Sequence, residues 1–188
     1  MASHPNTGEN NESYAGTPAQ QGARNRVLAL PELVRMRRAW RQQGLRLVLT
    51  NGTFDLLHVG HVRYLEAARQ LGDLLVVGIN SDSSVRGYKG PGRPVVPQDE
   101  RAEVVAALRC VDYTVIFDQP TATELVQALQ PEVYVKGGDY APGVAAGGKP
   151  LPEADAVRAY GGEVHIIPFV PGHSASELIR RVRGDSVL

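Results

Sequence analysis

Three observations predict a three-layer α/β/α fold with a parallel sheet of about five strands. Short apolar runs alternate along the chain with longer segments of helical period. One of the runs, Leu74-Leu75-Val76-Val77-Gly78-Ile79, is apolar without alternation, as in a strand covered on both faces. Finally, the polar, glycine-bearing turns follow the strands, at the rim where open parallel sheets take their ligands.

The elements can be justified in order. Met1 to about Asn25 is polar and aperiodic and is expected to be a disordered tail, leaving residues 26–188 as a single domain. Pro31 suits the first turn of a helix reaching about Gln43, with Leu33, Val34 and Trp40 inward and Gly44 as its stop. Arg46–Leu49 reads as a buried strand broken by Asn51-Gly52. A helix from Gly60 to Leu71 follows, with Val62, Leu65, Ala68 and Leu71 on one face. After the strand at 74–79, Asn80-Ser81-Asp82-Ser83 closes the run. Arg86 to Pro97, dense in glycine and proline, is expected to be loop. Asp99–Leu108 is expected as a helix, Tyr113–Phe117 as a strand, Thr121–Leu129 as a helix and Val133–Lys136 as a strand. A Gly/Ala/Pro-rich loop, a helix at Glu153–Tyr160, a strand at Glu163–Pro168 and a helix from Ser174 to Arg183 complete the chain.

Composition narrows the function classes. Twenty basic and twenty acidic residues cancel, so no global field favours a nucleic acid or another polyanion, and any anion site must be local. Cys110 is the only cysteine, which excludes an intrachain disulfide and fits a reducing compartment. No apolar run has the length of a membrane span, and the polar N-terminus lacks a signal-peptide core. A cytoplasmic protein without membrane or nucleic-acid partners is expected.

The chain is organised around Asn51-Gly52-Thr53-Phe54-Asp55-Leu56-Leu57-His58-Val59-Gly60-His61. His58 and His61 stand where a strand hands over to a helix start, whose free N–H groups and dipole suit an anion. Gly60 removes a side chain where a phosphate would approach the backbone. On these residues alone, a solvated turn and a metal-ligand pair stay open, although no His-Glu-x-x-His pattern is present. Three further groups reach the same rim. The first is the cationic stretch holding Lys89 and Arg93, followed by Arg101: a lid over phosphates or a plain solvated loop. Second is Lys136-Gly137-Gly138-Asp139-Tyr140, a turn that lets backbone approach a base or only a tight turn. Third is Gly172-His173-Ser174-Ala175-Ser176, where Ser174 with Glu177 makes a capping box and the hydroxyls could also bind phosphate. His165, inside a strand, reads as a satisfied core or edge residue.

The run Gly52–His61 resembles the signature of the HxGH nucleotidyltransferases, in their cytidylyltransferase-like branch, and implies their Rossmann-like fold. From about Pro31 to Arg183 the chain is similar to the D-glycero-β-D-manno-heptose 1-phosphate adenylyltransferases. The segments that carry this are Thr50–Asp55, His58–His61, Asn80-Ser81-Asp82, Lys89-Gly90 with Arg93-Pro94-Val95, Arg101, Leu108–Asp112 and Val135–Tyr140. One departure is Ser174-Ala175-Ser176, where the family usually reads Ser-Thr-Thr. The resemblance implies transfer of AMP from ATP to a sugar 1-phosphate, with magnesium bound through the phosphates and not by protein side chains. It also implies a form without the kinase domain that is sometimes fused, and a homodimer or other homo-oligomer. In that reading His58, His61, Lys89 and Arg101 are catalytic. Gly52, Thr53, Phe54, Gly60, Arg109, Lys136, Gly138, Asp139, Ser174 and Ser176 join the histidines in holding the nucleotide, and Asn51, Asp55 and Asn80 face the acceptor. The alternatives are a glycerol-3-phosphate cytidylyltransferase and a non-catalytic nucleotide-binding module.

Overall fold

The computed structural model describes residues 21–138, 151–168 and 172–184. The strands are β1 (Leu47–Gly52), β2 (Leu74–Asn80), β3 (Tyr113–Phe117), β4 (Val133–Gly137) and β5 (Glu163–Ile167). All pair in parallel, in the order β3-β2-β1-β4-β5. The helices are α1 (Leu30–Gln42), α2 (Val59–Arg69), α3 (Asp82–Lys89), α4 (Gln98–Ala106), α5 (Thr123–Leu129), α6 (Glu153–Ala159) and α7 (Ala175–Arg183). None is long and apolar enough to cross a membrane among the described residues.

The period of two along each strand divides the core into two slabs. Leu47, Leu49, Val76, Val115 and Tyr134 face α1, α5 and α6, meeting Leu33, Trp40, Leu125, Leu129 and Val157. Val48, Leu75, Val77, Ile79, Val133 and Val135 face α2 and α4, meeting Leu65, Ala68, Ala102 and Val105. Every residue of β2 is buried, as its unbroken apolar run requires. On the first face Arg37 ties α1 to the start of β4. Its guanidinium donates to the Leu129 and Gln130 carbonyls and to the Glu132 carboxylate, whose other oxygen accepts the Leu47 N–H.

The chain steps outward from β1 through β2 to β3, then returns across β1 to β4. The β1/β4 junction is therefore the point where strand order reverses, the usual place for a ligand crevice in such sheets.

Three expectations need correction. Asn51-Gly52 do not break the first strand: β1 runs through both, pairing them with Gly78 and Ile79 of β2. Arg86–Lys89 is not loop: it is the second half of α3, and the irregular stretch begins only at Gly90. Ser81 caps that helix by accepting the Ser84 N–H at 3.2 Å, and Val85 is its buried anchor. Gly90, at φ +83°, ends it. Gly87 sits mid-helix, where glycine costs only about 1 kcal/mol and is tolerated. Near the N-terminus, Ala23–Arg26 form a turn of 3-10 helix, and Arg26 is buried with its guanidinium donating to the Val111 carbonyl at 2.7 Å. This turn lies across the boundary expected at about Asn25. Residues 1–20 of the expected tail, Asp139, Tyr140 and residues 141–150 after them lie outside the described residues.

Candidate active site

A cleft of about 970 Å3 opens over the carboxyl ends of β1, β2 and β4, and its lining joins five stretches of the sequence. Asn51 to Asp55, His58, Gly60, His61 and Tyr64 come from the β1–α2 turn and the start of α2. Asn80, Ser83, Ser84, Tyr88 and Lys89 come from the end of β2 and from α3. Asp118 and Thr121 follow β3, and Lys136, Gly137 and Glu153 come from the end of β4 and from α6. His173 and Ser174 come from the turn before α7, and Ser176 from its first turn.

The β1–α2 turn is built by close approach. Phe54 holds the left-handed conformation (φ +48°), uncommon for a bulky residue, and its ring lies over Gly52, where a Cβ would come within 3.0 Å of it. The same ring tilts onto His61 at 5.2 Å between centroids. His58 is the N-cap of α2: its carbonyl accepts the His61 N–H at 2.9 Å while its side chain caps nothing. That frees the imidazole, which stacks on His61 at 3.8 Å and lies 6.3 Å from His173. A Cβ on Gly60 would stand 2.9 Å from His58 Nδ1 and 3.2 Å from the His173 Cβ. Gly60 therefore lets the His58 ring and the α7 turn close over the helix start.

Electrostatics follow from this packing. Burial, then the neighbouring His58 and Lys89, push His61 down to about 4, and burial and then His173 lower His58. Two stacked imidazoles cannot both carry charge cheaply, so at neutral pH the pair is neutral and each ring offers one N–H. Nδ1 of both rings is buried and meets no protein partner among the described residues. At the cleft mouth, desolvation, then Arg93, and more weakly Arg101 lower the Lys89 ammonium, while Asp55 opposes them. Tyr88 beside it shares a hydrogen bond with Thr53 Oγ1 at 2.5 Å.

The irregular stretch after α3 is pinned. Asp55, buried under it, accepts from Arg93 Nε at 2.8 Å and from the Val95 and Val96 N–H groups at 2.7 and 3.0 Å. Arg101 is only 1% exposed and turns inward. Its guanidinium donates to the carbonyls of Val96 at 2.9 Å, Thr53 at 2.5 Å and Asn80 at 2.8 Å, and to the Asp82 carboxylate at 2.8 Å. It thereby ties together the β1–α2 turn, the end of β2, the start of α3 and the stretch before α4, and it is not among the cleft-lining residues.

Of the residues singled out from the sequence, His58, His61, Lys89, Gly52, Thr53, Phe54, Gly60, Lys136, Ser174, Ser176, Asn51, Asp55 and Asn80 line one cleft. Arg109 does not: it lies with Glu66, Arg69, Gln70 and Cys110 around a separate depression. Gly138, at φ +85°, donates its N–H to the Ile167 carbonyl at 2.9 Å, tying the β4 turn to β5. Asp139 lies outside the described residues. Half of the expected capping box forms at α7. Ser174 Oγ accepts the Glu177 N–H at 3.1 Å, but the Glu177 carboxylate turns to Arg181. His165 sits on the edge strand β5, 3.0 Å from Glu163. Sequence reasoning missed Tyr64, Ser83, Ser84, Tyr88, Asp118, Thr121, Glu153 and His173 as cleft residues, although Tyr88 and His173 stood inside stretches already placed at the rim.

A family profile described as cytidylyltransferase-like matches residues 49–180. The chain is similar to proteins named bifunctional protein HldE. It is 51% identical over 142 residues to that of Syntrophotalea carbinolica, which is 76% of this chain and 28% of the relative. It is 49% identical over 162 residues to that of Geotalea uraniireducens, covering 86% and 32%. The chain thus spans less than a third of these relatives' length. Among solved structures, a lipopolysaccharide core biosynthesis protein from Thermoplasma volcanium aligns with a TM-score of 0.54 at 26% identity, over 68% of this chain and 98% of that one. The chain belongs to the cytidylyltransferase-like family of nucleotidyltransferases.

Proposed function

We propose that this chain transfers AMP from ATP to a sugar 1-phosphate, D-glycero-β-D-manno-heptose 1-phosphate, releasing pyrophosphate. The observation that carries the reading is a single cleft with two kinds of lining. One part gathers two neutral histidines at a helix start, Lys89, Ser174 and Ser176. The other holds hydroxyls, amides and carboxylates: Asn51, Asn80, Ser83, Ser84, Asp118, Thr121 and Glu153. The first suits a triphosphate. The second suits a polyhydroxylated body whose hydroxyls both donate and accept. About 50% identity to proteins named HldE and a structural likeness to a lipopolysaccharide core biosynthesis protein support a cell-envelope sugar as acceptor.

The chemistry asks little covalent work of the protein. An anionic oxygen of the acceptor phosphate attacks the α-phosphorus in line, the bond from that phosphorus to the β-phosphate oxygen breaks, and pyrophosphate leaves. The nucleophile is already deprotonated, so no general base is needed, and catalysis rests on positioning and on charge stabilisation. Neutral His58 and His61 donate N–H groups to phosphate oxygens, and Lys89, at the mouth of the cleft, follows the charge onto the leaving group. Ser174 and Ser176 add hydroxyl donors. No cluster of three metal-ligating side chains occurs among the described residues. Magnesium, which the family resemblance implies, would be held through the phosphate oxygens, where it would neutralise charge.

One observation favours a second reading: the matching profile is described as cytidylyltransferase-like. A matrix of ATP, GTP, CTP and UTP against heptose 1-phosphate and glycerol 3-phosphate, followed by pyrophosphate release, separates the two. ATP with heptose 1-phosphate is expected to give the highest kcat/KM. A preference for CTP with glycerol 3-phosphate would overturn the reading.

A further inference from the structure

Asn51 stands at the β1/β4 junction, and its amide can take only one orientation. Its Oδ1 accepts the Tyr134 hydroxyl at 2.6 Å and the Lys136 ammonium at 2.9 Å. An ammonium only donates, so the atom facing Lys136 must be the oxygen, and a flipped amide would set N–H against N–H. Tyr134 and Lys136 are two residues apart on β4 and so share a face, while Asn51 continues the β1 face that carries Leu47 and Leu49. The apolar slab between β1 and β4 thus ends in a polar clasp. From below, Asn51 is seated on its β2 neighbour Gly78, where an added Cβ would approach the Asn51 Cβ to 3.1 Å.

With Oδ1 filled, what Asn51 presents to the cleft is its NH2 group. Among the described residues neither Nδ2 hydrogen meets a protein acceptor, although Asn51 lines the cleft. Two N–H donors are thus held in place at the crossover point of the sheet, beside the turn that carries the histidines. Lys136, itself buried, polarises them through the shared oxygen.

Resting on the transfer reading given above, we propose that the Asn51 amide binds the phosphate of the acceptor and orients its attacking oxygen, and that Tyr134 and Lys136 are positioning residues that fix the amide. A neutral donor suits this task. A cation in direct contact would hold the nucleophilic oxygen in its ground state, whereas an amide N–H aligns it with less loss of reactivity. The triphosphate has its own donors in the histidines, Lys89 and the α7 turn. The Asn51 amide falls to the other partner.

Asn51→Asp tests this directly. It keeps an oxygen for Tyr134 and Lys136 and replaces the two donors with a second, anionic oxygen. The expected result is a fall in kcat/KM for the acceptor of about 100-fold, with ATP affinity within about twofold of wild type, because hydrogen bonds to charged groups carry that much. Tyr134→Phe and Lys136→Met should show the same asymmetry more weakly, about 5- to 20-fold. Equal losses for ATP and acceptor would place Asn51 on the triphosphate and overturn the proposal. A second measurement needs no variant to be active. In wild-type protein the Asn51 side-chain 15N–1H pair, identified by its loss in Asn51→Asp, should shift on titration with inorganic phosphate and with a sugar 1-phosphate. No shift with either, in protein that turns over ATP and heptose 1-phosphate, overturns the proposal and leaves the transfer reading intact. A shift in protein that makes no ADP-sugar upholds the anion site and overturns the transfer reading.

Discussion

Arg101→Ala should damage stability before it damages chemistry. The side chain is fully buried and donates to three backbone carbonyls and one carboxylate in four different segments. Removing it strands the Thr53, Asn80 and Val96 carbonyls, and each unsatisfied buried group costs about 1–3 kcal/mol. These costs do not add fully, because the segments relax together; breaking a buried ion pair by deleting one partner typically costs about 3–5 kcal/mol. We expect a loss in that range, a fall of roughly 10 °C in melting temperature for a domain of this size. The assay is urea denaturation of wild type and variant, with kcat measured on the folded fraction at a temperature well below both midpoints. Arg101→Lys should recover little, since an ammonium cannot span four acceptors in the guanidinium plane. A stability change below about 1 kcal/mol together with a hundredfold fall in kcat would refute the reasoning. The guanidinium would then work directly on the phosphates.

Gly60→Ala introduces a methyl group that must displace the His58 ring or the α7 turn. It should lower kcat by about 10- to 100-fold while the better helix propensity of alanine keeps the unfolding midpoint nearly unchanged; an unaltered kcat would show that the His58 placement is not needed. Lys89→Ala, at an exposed helix end, should cut kcat by about a hundredfold without moving the denaturation curve, and a shifted curve with normal kinetics would contradict its assigned task. His61 should titrate near 4 in an NMR experiment on the free protein; a midpoint at or above 6.5 would show that burial and its neighbours do not depress the ring. Because its folded value lies below its unfolded value of 6.5, the unfolded chain binds the extra proton. The His61 contribution, about 3 kcal/mol, is therefore whole above pH 6.5 and is lost as pH falls toward 4.

The strands were legible because burial on both sides leaves unbroken apolar runs. Leu74–Ile79 forms such a run inside β2, and Tyr113–Phe117 is bounded to the residue. The histidine cleft was legible because its core is one contiguous stretch, Asn51–His61, at a strand end. Helix α3 was hidden by Gly87 and by the glycines and prolines after it. Its cap at Ser81 and its anchor Val85 are signals too short to outweigh that composition. Arg101 and Asp55 carry charges that a sequence places at a solvent-facing rim. Only the tertiary structure shows four acceptors around the one and the Val95-Val96 backbone over the other. The side of the cleft away from the histidines escaped for a similar reason. Ser83, Asp118, Thr121 and Glu153 come from separate elements and share no local pattern, so only the sheet order brings them together.

The central claim is that an oxygen of a sugar phosphate attacks the α-phosphorus of ATP in this cleft. The most direct test uses heptose 1-phosphate carrying 18O in its non-bridging phosphate oxygens, with 31P NMR of the products. The account predicts an ADP-sugar with 18O in the bridge between its two phosphorus atoms, and pyrophosphate free of label. Label in the released pyrophosphate, or hydrolysis of ATP without any ADP-sugar, would contradict it.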